Sequence, residues 1–378
     1  MWSSKYLTRI DFRAVFVIIV LMVISCLIIS SYSSNLTSDY IEEPFLTTMV
    51  KTQIQWFGLG WLVFVFFAGF DYNKLREWAW VLYVASVISL VGLFFTESIQ
   101  NVHRWYRIPF ISHSFQPSEY AKLALVIALS WFLERKATSS RTLGTALGAL
   151  LIFIIPFVCI LKQPDLGTAL VLYPMTLVIF YFGDMAPWLV RTMMSFALVA
   201  VFVVFLFFSG IISHEGARPF FLNFIKEYQY ERLNPNTHHQ KAAATAVAIG
   251  GISGVGFKQS EYTRGGSLPV PYTDSAFPAF GEEFGFIGLV FLLVLFYGLI
   301  YCCFQVSAVA KDPFGRLLAA GISVFLAVHI TVNIGMMCGI LPITGVPLVL
   351  VSYGGSSVLS TMMALGILQS IYSRRFMF

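Results

Sequence analysis

The stretch AVFVIIVLMVISCLIIS, residues 14–30, is apolar on every side when it is drawn as a helix. A helix that crosses a bilayer is apolar all round, and about 20 such residues span the hydrocarbon core. A membrane β-barrel is excluded, because its strands alternate apolar and polar residues over roughly ten positions. The stretch therefore predicts a membrane-spanning α-helix.

Similar runs recur along the chain, whose 378 residues are 58% hydrophobic and only 11% charged. Ten runs are long enough to cross a membrane. They cover residues 14–32, 55–70, 78–96, 118–133, 143–162, 166–183, 193–213, 284–308, 317–340 and 345–371. We therefore predict an all-α polytopic membrane protein in which residues 1–378 form a single membrane domain.

Basic residues are distributed unevenly among the loops between these predicted spans. If the N-terminus is inside, the inner segments hold thirteen Lys and Arg residues and the short outer loops hold four. Because Lys and Arg are enriched in cytoplasmic loops, we predict that both termini are cytoplasmic. Topology then accounts for the net charge of +5, and no nucleic-acid partner is expected.

One predicted outer loop, residues 214–283, is far longer than the others. Long loops without elements of their own are uncommon and often functional. Within this one, PFFLNFIKEYQY (219–230) is typical of an interfacial helix, and HHQKAAATAVAIGGISGVGF (238–257) predicts a second helix. We therefore expect a structured extracytoplasmic loop.

Ionisable residues occur at the start of the fourth predicted span, in FQPSEYAKLALVIALSWF (115–132). Glu119 and Lys122 are three positions apart, which places them on one helix face. Pro117 suits the first position of a helix. Charged groups at membrane depth are costly, so the pair is either a structural ion pair or one wall of a charged cavity.

A second acidic start occurs in LKQPDLGTALVL (161–172), where Asp165 either caps the sixth predicted span or adds a second acid on the same membrane face. The segment VHRWYRIPF (102–110) adds Arg104, Trp105 and Arg107 on that face. These residues form either an interfacial aromatic anchor or a clamp for phosphate, since guanidinium groups bind phosphate oxygens in pairs.

Three carboxylates lie together in LPVPYTDSAFPAFGEEFGFIG (268–288). We expect Glu282 and Glu283 to lie at the start of the eighth span, where a positive helix end favours acids. Asp274 lies upstream, in the long outer loop. It is the stronger candidate for a chemical role.

Prolines and glycines interrupt the apolar segment CGILPITGVPLVLVSYGGSS (338–357). Irregular backbone at membrane depth is tolerated where it lines a cavity. The hydroxyls of Ser352 and Tyr353 either bind a head group or cap the local backbone.

Several of these segments, in the same order, resemble the SEDS family (shape, elongation, division and sporulation) of polytopic bacterial membrane proteins. The resemblance covers about residues 100–370 and rests on HRWYRIPFISHSFQPSEYAKLAL, KQPDLGTAL, ERLNPNTHHQKAAATAVAIGGISGVGF, LPVPYTDSAFPAFGEEFGFIG and HITVNIGMMCGILPITGVPLVLVSYGGSS. The last block is more similar to the elongation-type (RodA) branch than to the division-type (FtsW) branch.

The resemblance implies an inverting peptidoglycan glycosyltransferase in the bacterial inner membrane, which polymerises lipid II and releases undecaprenyl pyrophosphate. It also implies a class B penicillin-binding protein, a transpeptidase, as partner. The essential loop aspartate of the family corresponds to Asp274. The implied substrate-binding positions are Arg104, Trp105, Gln116, Ser118, Glu119, Lys122, Asp165, Gln240, Ser352 and Tyr353.

Inverting glycosyl transfer needs a base for the acceptor hydroxyl and positive charge for the departing pyrophosphate. Asp274 is either that base or a ligand for a divalent cation, magnesium or manganese. Arg104 and Lys122, together with Arg218 or Arg232, are candidates for neutralising the leaving group.

The chain departs from the family pattern around the loop aspartate and the loop glutamine, at Tyr272, Ser275, His238 and His239. A lipid II flippase and a non-catalytic scaffold of the wall-synthesis complex are the alternatives, since a charged cavity or a bundle of spans also suits those roles.

Overall fold

The computed structural model of the protein describes residues 2–32, 45–96, 104–107, 114–223 and 226–375. These residues form helices, one antiparallel pair of two-residue strands and a few short 3₁₀ turns. The longer helices are α1 (Phe12–Tyr32), α2 (Thr48–Gly69), α3 (Lys74–Gly92), α4 (Pro117–Arg135), α5 (Leu143–Lys162), α6 (Leu166–Phe182), α7 (Pro187–Phe208), α12 (Ala276–Val309), α13 (Pro313–Met337) and α14 (Gly355–Ser373). The shorter ones are α8 (His214–Phe221), α9 (Glu227–Tyr230), α10 (His238–Gly250) and α11 (Glu261–Arg264). Strands β1 (Tyr106–Arg107) and β2 (Ser114–Phe115) form the antiparallel pair.

Among the described residues, seven helices are long and apolar enough to cross a membrane. They are α1, α2, α3 with the 3₁₀ turn that follows it, α5, α7, α12 and α13. The prediction of an all-helical membrane protein is therefore confirmed. The spans predicted in α4, α6 and α14 stay predictions.

Three helices, α4, α13 and α14, form the centre of the bundle, since they have the highest proportions of buried residues. α4 packs against α3, α5, α6 and α13, while α14 packs chiefly against α2. The starts of α4, α6 and α14 meet the later part of α13 around one cavity. Polar side chains at these helix ends are thereby brought together at one end of the bundle.

Helix α12 is interrupted at Gly285, whose φ of 65° and ψ of −166° are not helical. A turn after α10 docks into the break: the amide of Phe286 donates to the Gly251 carbonyl at 2.8 Å, and the amide of Val255 donates to the Glu282 carbonyl at 3.0 Å. A Cβ atom at position 285 would lie only 2.3 Å from the Gly254 nitrogen, so this contact requires glycine.

The side chains of Glu282 and Glu283 are buried and hold the segment that follows this turn. Glu282 accepts bonds from the amides of Tyr262 and Thr263, both at 3.1 Å. Glu283 accepts from the amide of Lys258 at 3.0 Å. Their predicted structural role is confirmed, but they lie about two turns inside α12, which begins at Ala276, and not at the start of the helix.

Four predicted spans begin well away from the helix that forms. α2 begins at Thr48 instead of 55 and α7 at Pro187 instead of 193; the starts of α12 and α14 are further off. α12 begins at Ala276 instead of 284. The prediction was too late because Glu282 and Glu283 lower the hydropathy of the first turns, although both carboxylates have hydrogen-bond partners inside the protein. α14 begins at Gly355 instead of 345, since residues 338–354 are irregular backbone despite their apolar composition. The connection between α7 and α12 is accordingly residues 209–275.

Within this connection the helix predicted over 238–257 is confirmed as α10, although it ends at Gly250. A single helix over 219–230 is wrong, because α8 ends at Phe221 and α9 begins at Glu227. Residues 224–225 lie outside the described part of the chain.

Candidate functional site

A cavity of about 250 Å³ lies where the starts of α4, α6 and α14 meet the later part of α13. The loop before α12 and the irregular segment 338–354 complete its wall, which confirms the prediction that this backbone lines a cavity. The lining residues that carry polar side chains are Arg104, Trp105, Gln116, Glu119, Asp165, Thr168, Thr273, Asp274, His329, Tyr353, Ser356 and Ser357.

Glu119 and Lys122 form the predicted ion pair in the first turns of α4. Nζ of Lys122 lies 2.8 Å from Oε1 of Glu119, and the lysine side chain is fully buried. Nζ also lies 2.8 Å from Nε2 of His329 on α13. Ser360 of α14 donates to the other Glu119 oxygen at 3.0 Å. The pair thus connects α4, α13 and α14. Glu119 also lines the cavity.

Asp165 caps α6, as predicted, since its carboxylate accepts the amide of Thr168 at 3.2 Å. It also accepts the hydroxyls of Thr168 at 2.8 Å and of Ser118 at 3.2 Å. The Gln116 side chain donates to it at 3.4 Å. Asp165 lines the cavity as well. The same carboxylate therefore caps α6 and faces a ligand in the cavity.

Asp274 lies in the loop just before α12, and its side chain lines the cavity. The backbone around it is fixed by Asn333 of α13, whose amide donates to the Asp274 carbonyl at 3.0 Å and to the Val346 carbonyl at 2.7 Å. Among the described residues the carboxylate itself accepts no hydrogen bond. It is therefore available to a ligand in the cavity.

Burial raises the pKa of the Asp274 carboxyl above its ordinary value, while Arg104 and Arg232 act against this rise. Burial, with repulsion from Arg104, also lowers the pKa of the Arg232 guanidinium. Two arginine side chains thus act electrostatically on one half-buried carboxylate. The arrangement combines a proton acceptor with positive charge.

Both arginines are held by backbone carbonyls. Nε of Arg104 donates to the Gln163 carbonyl at 3.2 Å, and its Nη2 donates to the Pro164 carbonyl. Arg232 donates to the Thr344 carbonyl at 3.0 Å. Arg104 and Trp105 both line the cavity, and the phosphate clamp stays a prediction. The side chain of Arg107 lies outside the described residues.

Four predicted site residues do not line the cavity: Ser118, Lys122, Gln240 and Ser352. Ser118 and Lys122 bond to its carboxylates, as described above. Ser352 accepts the Leu348 amide at 2.7 Å and donates to the Thr273 carbonyl at 2.6 Å, so backbone capping describes it. Gln240 donates to the Leu341 carbonyl at 2.9 Å and braces the same irregular segment.

The sequence interpretation missed two polar residues of α13, His329 and Asn333. A histidine and an asparagine within an apolar run were the available signal, since polar groups at membrane depth are functional suspects. A further pair emerges beside Asp274, where Nε2 of His239 lies 2.6 Å from Oγ of Ser275. Two departures from the family pattern are thus in direct contact.

The described residues contain no group of three His, Cys, Asp or Glu side chains arranged to hold a metal ion. The donor set at Asp274 therefore does not form a multidentate metal site by itself. We derive no chemical step through a metal.

The fold and the cavity define a polytopic membrane protein with a charged site at one end of its helical bundle. Residues 12–375 match the family model FTSW_RODA_SPOVE, described as "Cell cycle protein". The chain belongs to this family, the SEDS proteins of the FtsW, RodA and SpoVE type.

Relatives and solved structures agree with this assignment. Peptidoglycan glycosyltransferase MrdB of Escherichia coli (strain K12) is 30% identical over 381 residues, covering 99% of this chain and 95% of MrdB. A solved structure described as "Structural coordination of polymerization and crosslinking by a peptidoglycan synthase complex" has a chain 25% identical, with TM-score 0.74, covering 98% of this chain and 99% of that chain. The crystal structure of Thermus thermophilus rod shape determining protein RodA is 24% identical, with TM-score 0.69 and 98% of each chain covered, and shares the fold.

Proposed function

We propose that this protein is a peptidoglycan glycosyltransferase that polymerises lipid II during cell-wall elongation and releases undecaprenyl pyrophosphate. The name of MrdB from E. coli, similar over nearly the whole chain, supports this activity. The observation that carries the proposal is the Asp274 carboxylate, which accepts no hydrogen bond among the described residues and faces a cavity that Arg104 also lines.

Asp274 acts as the general base in this proposal. Its carboxylate takes the proton of the acceptor hydroxyl while the hydroxyl oxygen forms a bond to the donor sugar carbon. The raised pKa makes it a stronger base than an exposed aspartate. Asn333 and Ser352 fix the backbone on both sides of the cavity, so the carboxylate is held in position.

The bond that breaks joins the donor sugar carbon to the pyrophosphate oxygen, which leaves with negative charge. Arg104 lines the cavity and Arg232 lies close enough to influence Asp274, so these two guanidinium groups are the proposed partners of the pyrophosphate. Lys122 is already paired with Glu119 and is fully buried. It holds the Glu119 carboxylate in place and does not reach the leaving group.

A cavity of about 250 Å³ is smaller than typical ligand pockets of roughly 300–1,000 Å³. It therefore receives the reacting part of lipid II, the pyrophosphate and the sugar next to it. Asp274 would be the residue that holds a magnesium or manganese ion, with substrate oxygens as its further ligands, and such an ion would neutralise charge on the pyrophosphate.

The proposed setting is the bacterial inner membrane, with ten spans, both termini in the cytoplasm and the connection between α7 and α12 outside. The uneven distribution of Lys and Arg supports this orientation. A class B penicillin-binding protein is the proposed partner. The similar chain in the peptidoglycan synthase complex supports that assignment.

The test is polymer formation by the purified protein given lipid II, with and without a class B penicillin-binding protein. We expect long glycan strands from the wild type and none from Asp274→Ala. Vesicles that carry labelled lipid II separate the flippase alternative, which predicts transfer across the bilayer without polymer. If the purified protein alone gives neither polymer nor transfer, and polymer forms only when another enzyme is added, the scaffold alternative is supported.

A further inference from the structure

The loop that carries Asp274 contains a strained turn. Val270 has a φ of 41°, in the left-handed region that β-branched residues rarely adopt. Its carbonyl accepts the amides of Thr273 at 3.2 Å and of Ser275 at 3.4 Å, which closes the turn. Strained backbone persists only where the surrounding structure holds it. The contacts that hold this turn therefore decide where the Asp274 carboxylate lies.

Two neighbouring residues of the loop are held by two different helices. The carbonyl of Asp274 accepts the side-chain amide of Asn333, on α13, at 3.0 Å. The next residue, Ser275, is held by His239 on α10, whose Nε2 lies 2.6 Å from the Ser275 Oγ. Helix α10 belongs to the connection between α7 and α12. This connection therefore contacts the loop directly, one residue after the aspartate.

The direction of the bond between His239 and Ser275 follows from the other bond of the serine. The Ser275 hydroxyl has one hydrogen, which it donates to the Pro269 carbonyl at 2.8 Å. Its oxygen therefore accepts the Nε2 hydrogen of His239. Burial, with repulsion from His238, lowers the pKa of the His239 imidazole, so the ring is neutral near pH 7 and carries its proton on Nε2. Two hydrogen bonds in series thus join α10 to the start of the strained turn.

Helix α10 is a firm support for these bonds. Gln240, the residue after His239, is buried and donates to the Leu341 carbonyl at 2.9 Å. At the other end of the helix, a Cβ atom on Gly250 would lie 2.0 Å from the carbonyl oxygen of Gly281, so the backbones of α10 and α12 are in direct contact. Both ends of α10 are therefore fixed against the bundle, and His239 is held in place beside the loop.

We propose that His239 is a positioning residue for glycosyl transfer: through Ser275 it fixes the turn that presents the Asp274 carboxylate to the cavity. This role rests on the proposed function, in which Asp274 is the general base. The described residues that line the cavity do not include His239, while they do include Arg104. Loss of the imidazole should therefore displace the reacting carboxylate and leave the cavity's own binding groups in place, which lowers kcat more than it changes KM.

Steady-state polymerisation of lipid II by the purified full chain tests this role. We expect His239→Ala to lower kcat roughly tenfold with KM within about twofold of the wild type, since small displacements of a reacting group are costly. His239→Gln should restore most of the rate, because its amide offers an N–H donor near the position of Nε2. His238→Ala is the matched control. His238 is exposed, makes no hydrogen bond to the loop among the described residues, and should be replaceable without loss of rate.

Ser275→Ala separates a role through Ser275 from a role elsewhere. It removes the acceptor of His239 and the donor to Pro269, so it should lower kcat at least as much as His239→Ala does. Adding His239→Ala to Ser275→Ala should then change kcat by less than about twofold, because the two residues act in one chain of bonds. Losses that multiply in the double variant would overturn the proposal.

Hydrogen exchange of peptides that cover residues 269–275, measured by mass spectrometry of the full chain in detergent, needs no activity. We expect faster exchange in His239→Ala, and wild-type exchange in His239→Gln and His238→Ala, because the turn opens more often without its support. A wild type that forms no polymer would refute the proposed function, while exchange would still test the support of the turn. Unchanged exchange or unchanged kcat in His239→Ala would overturn the positioning role. If that variant does not fold, Ser275→Ala gives the same two readouts.

Discussion

Nζ of Lys122 lies 2.8 Å from Oε1 of Glu119, and neither side chain is exposed by more than 5%. Removing one partner of a buried ion pair leaves an uncompensated charge, which typically costs about 3–5 kcal/mol. We therefore expect Lys122→Met to lower the free energy of unfolding by about that amount, measured by thermal unfolding in detergent.

The double variant Glu119→Gln/Lys122→Met is the matched control. It removes both charges and should recover part of the stability lost in Lys122→Met. Unchanged stability in the single variant would show that the pair is solvated in the membrane-embedded protein and is not the link between α4, α13 and α14.

Asn333 should position Asp274 without touching substrate. Asn333→Leu removes the donor shared by the Asp274 and Val346 carbonyls at nearly constant volume. Since small displacements of a reacting group are costly, we expect kcat to fall roughly ten- to hundredfold with little change in KM.

Ser323→Ala on the same helix is the control for Asn333→Leu, because among the described residues the Ser323 hydroxyl bonds only to the Ala319 carbonyl of its own helix, at 2.7 Å. It should retain the wild-type rate. A rise in KM with unchanged kcat in Asn333→Leu would instead place Asn333 in substrate binding.

The pH dependence of polymerisation should report the electrostatics of Asp274. A general base works when deprotonated, so the rate falls as the pH drops through the pKa of its carboxyl. Arg104 lowers that pKa, and its loss should raise it. We expect the acidic limb of the kcat/KM profile to move to higher pH in Arg104→Gln.

Arg191→Gln serves as the comparison for this profile, since Arg191 is exposed on α7 and does not affect the pKa of Asp274. Its acidic limb should coincide with that of the wild type. If the acidic limb stays fixed or moves to lower pH in Arg104→Gln, Asp274 is not the group whose titration limits the rate.

The broken helix at Gly285 should tolerate no side chain. Gly285→Ala places a methyl group 2.3 Å from the Gly254 nitrogen and forces an alanine into a φ of 65°. We expect a loss of about 2–4 kcal/mol in the free energy of unfolding, from strain and overpacking.

Gly144→Ala in α5 is the control for Gly285→Ala, because nothing lies within 4 Å of the added Cβ. It should be neutral or slightly stabilising, since alanine favours helix more than glycine does. Equal stability of the two variants would mean that the turn after α10 does not dock into α12.

Apolar runs were sufficient to predict the fold class, because a fully apolar segment of about 20 residues has few alternatives to a membrane helix. The ends of helices were harder to predict. Glu282 and Glu283 look like residues outside a span until their bonds to the amides of residues 258–263 are seen. Residues 345–354 look like part of a span because they are apolar, but their glycines and prolines keep the backbone out of a helix.

The site was predictable where local spacing decides the contact. The Glu119–Lys122 pair and the Asp165 cap follow from three-residue separations within one helix turn. His329 and Asn333 were missed because their partners are far away in the sequence, at Lys122 and Asp274. The His239–Ser275 contact joins two departures from the family pattern that are 36 positions apart. Only the packed structure brings them together.

The central claim is that the Asp274 carboxylate removes the proton during lipid II polymerisation. The direct test is the single-turnover rate of glycan formation by wild type and by Asp274→Asn, which keeps the shape of the side chain but cannot act as a base. With equal thermal stability and equal lipid II binding, we predict a loss of at least about 100-fold for the variant. Polymerisation by Asp274→Asn at the wild-type rate would contradict the account.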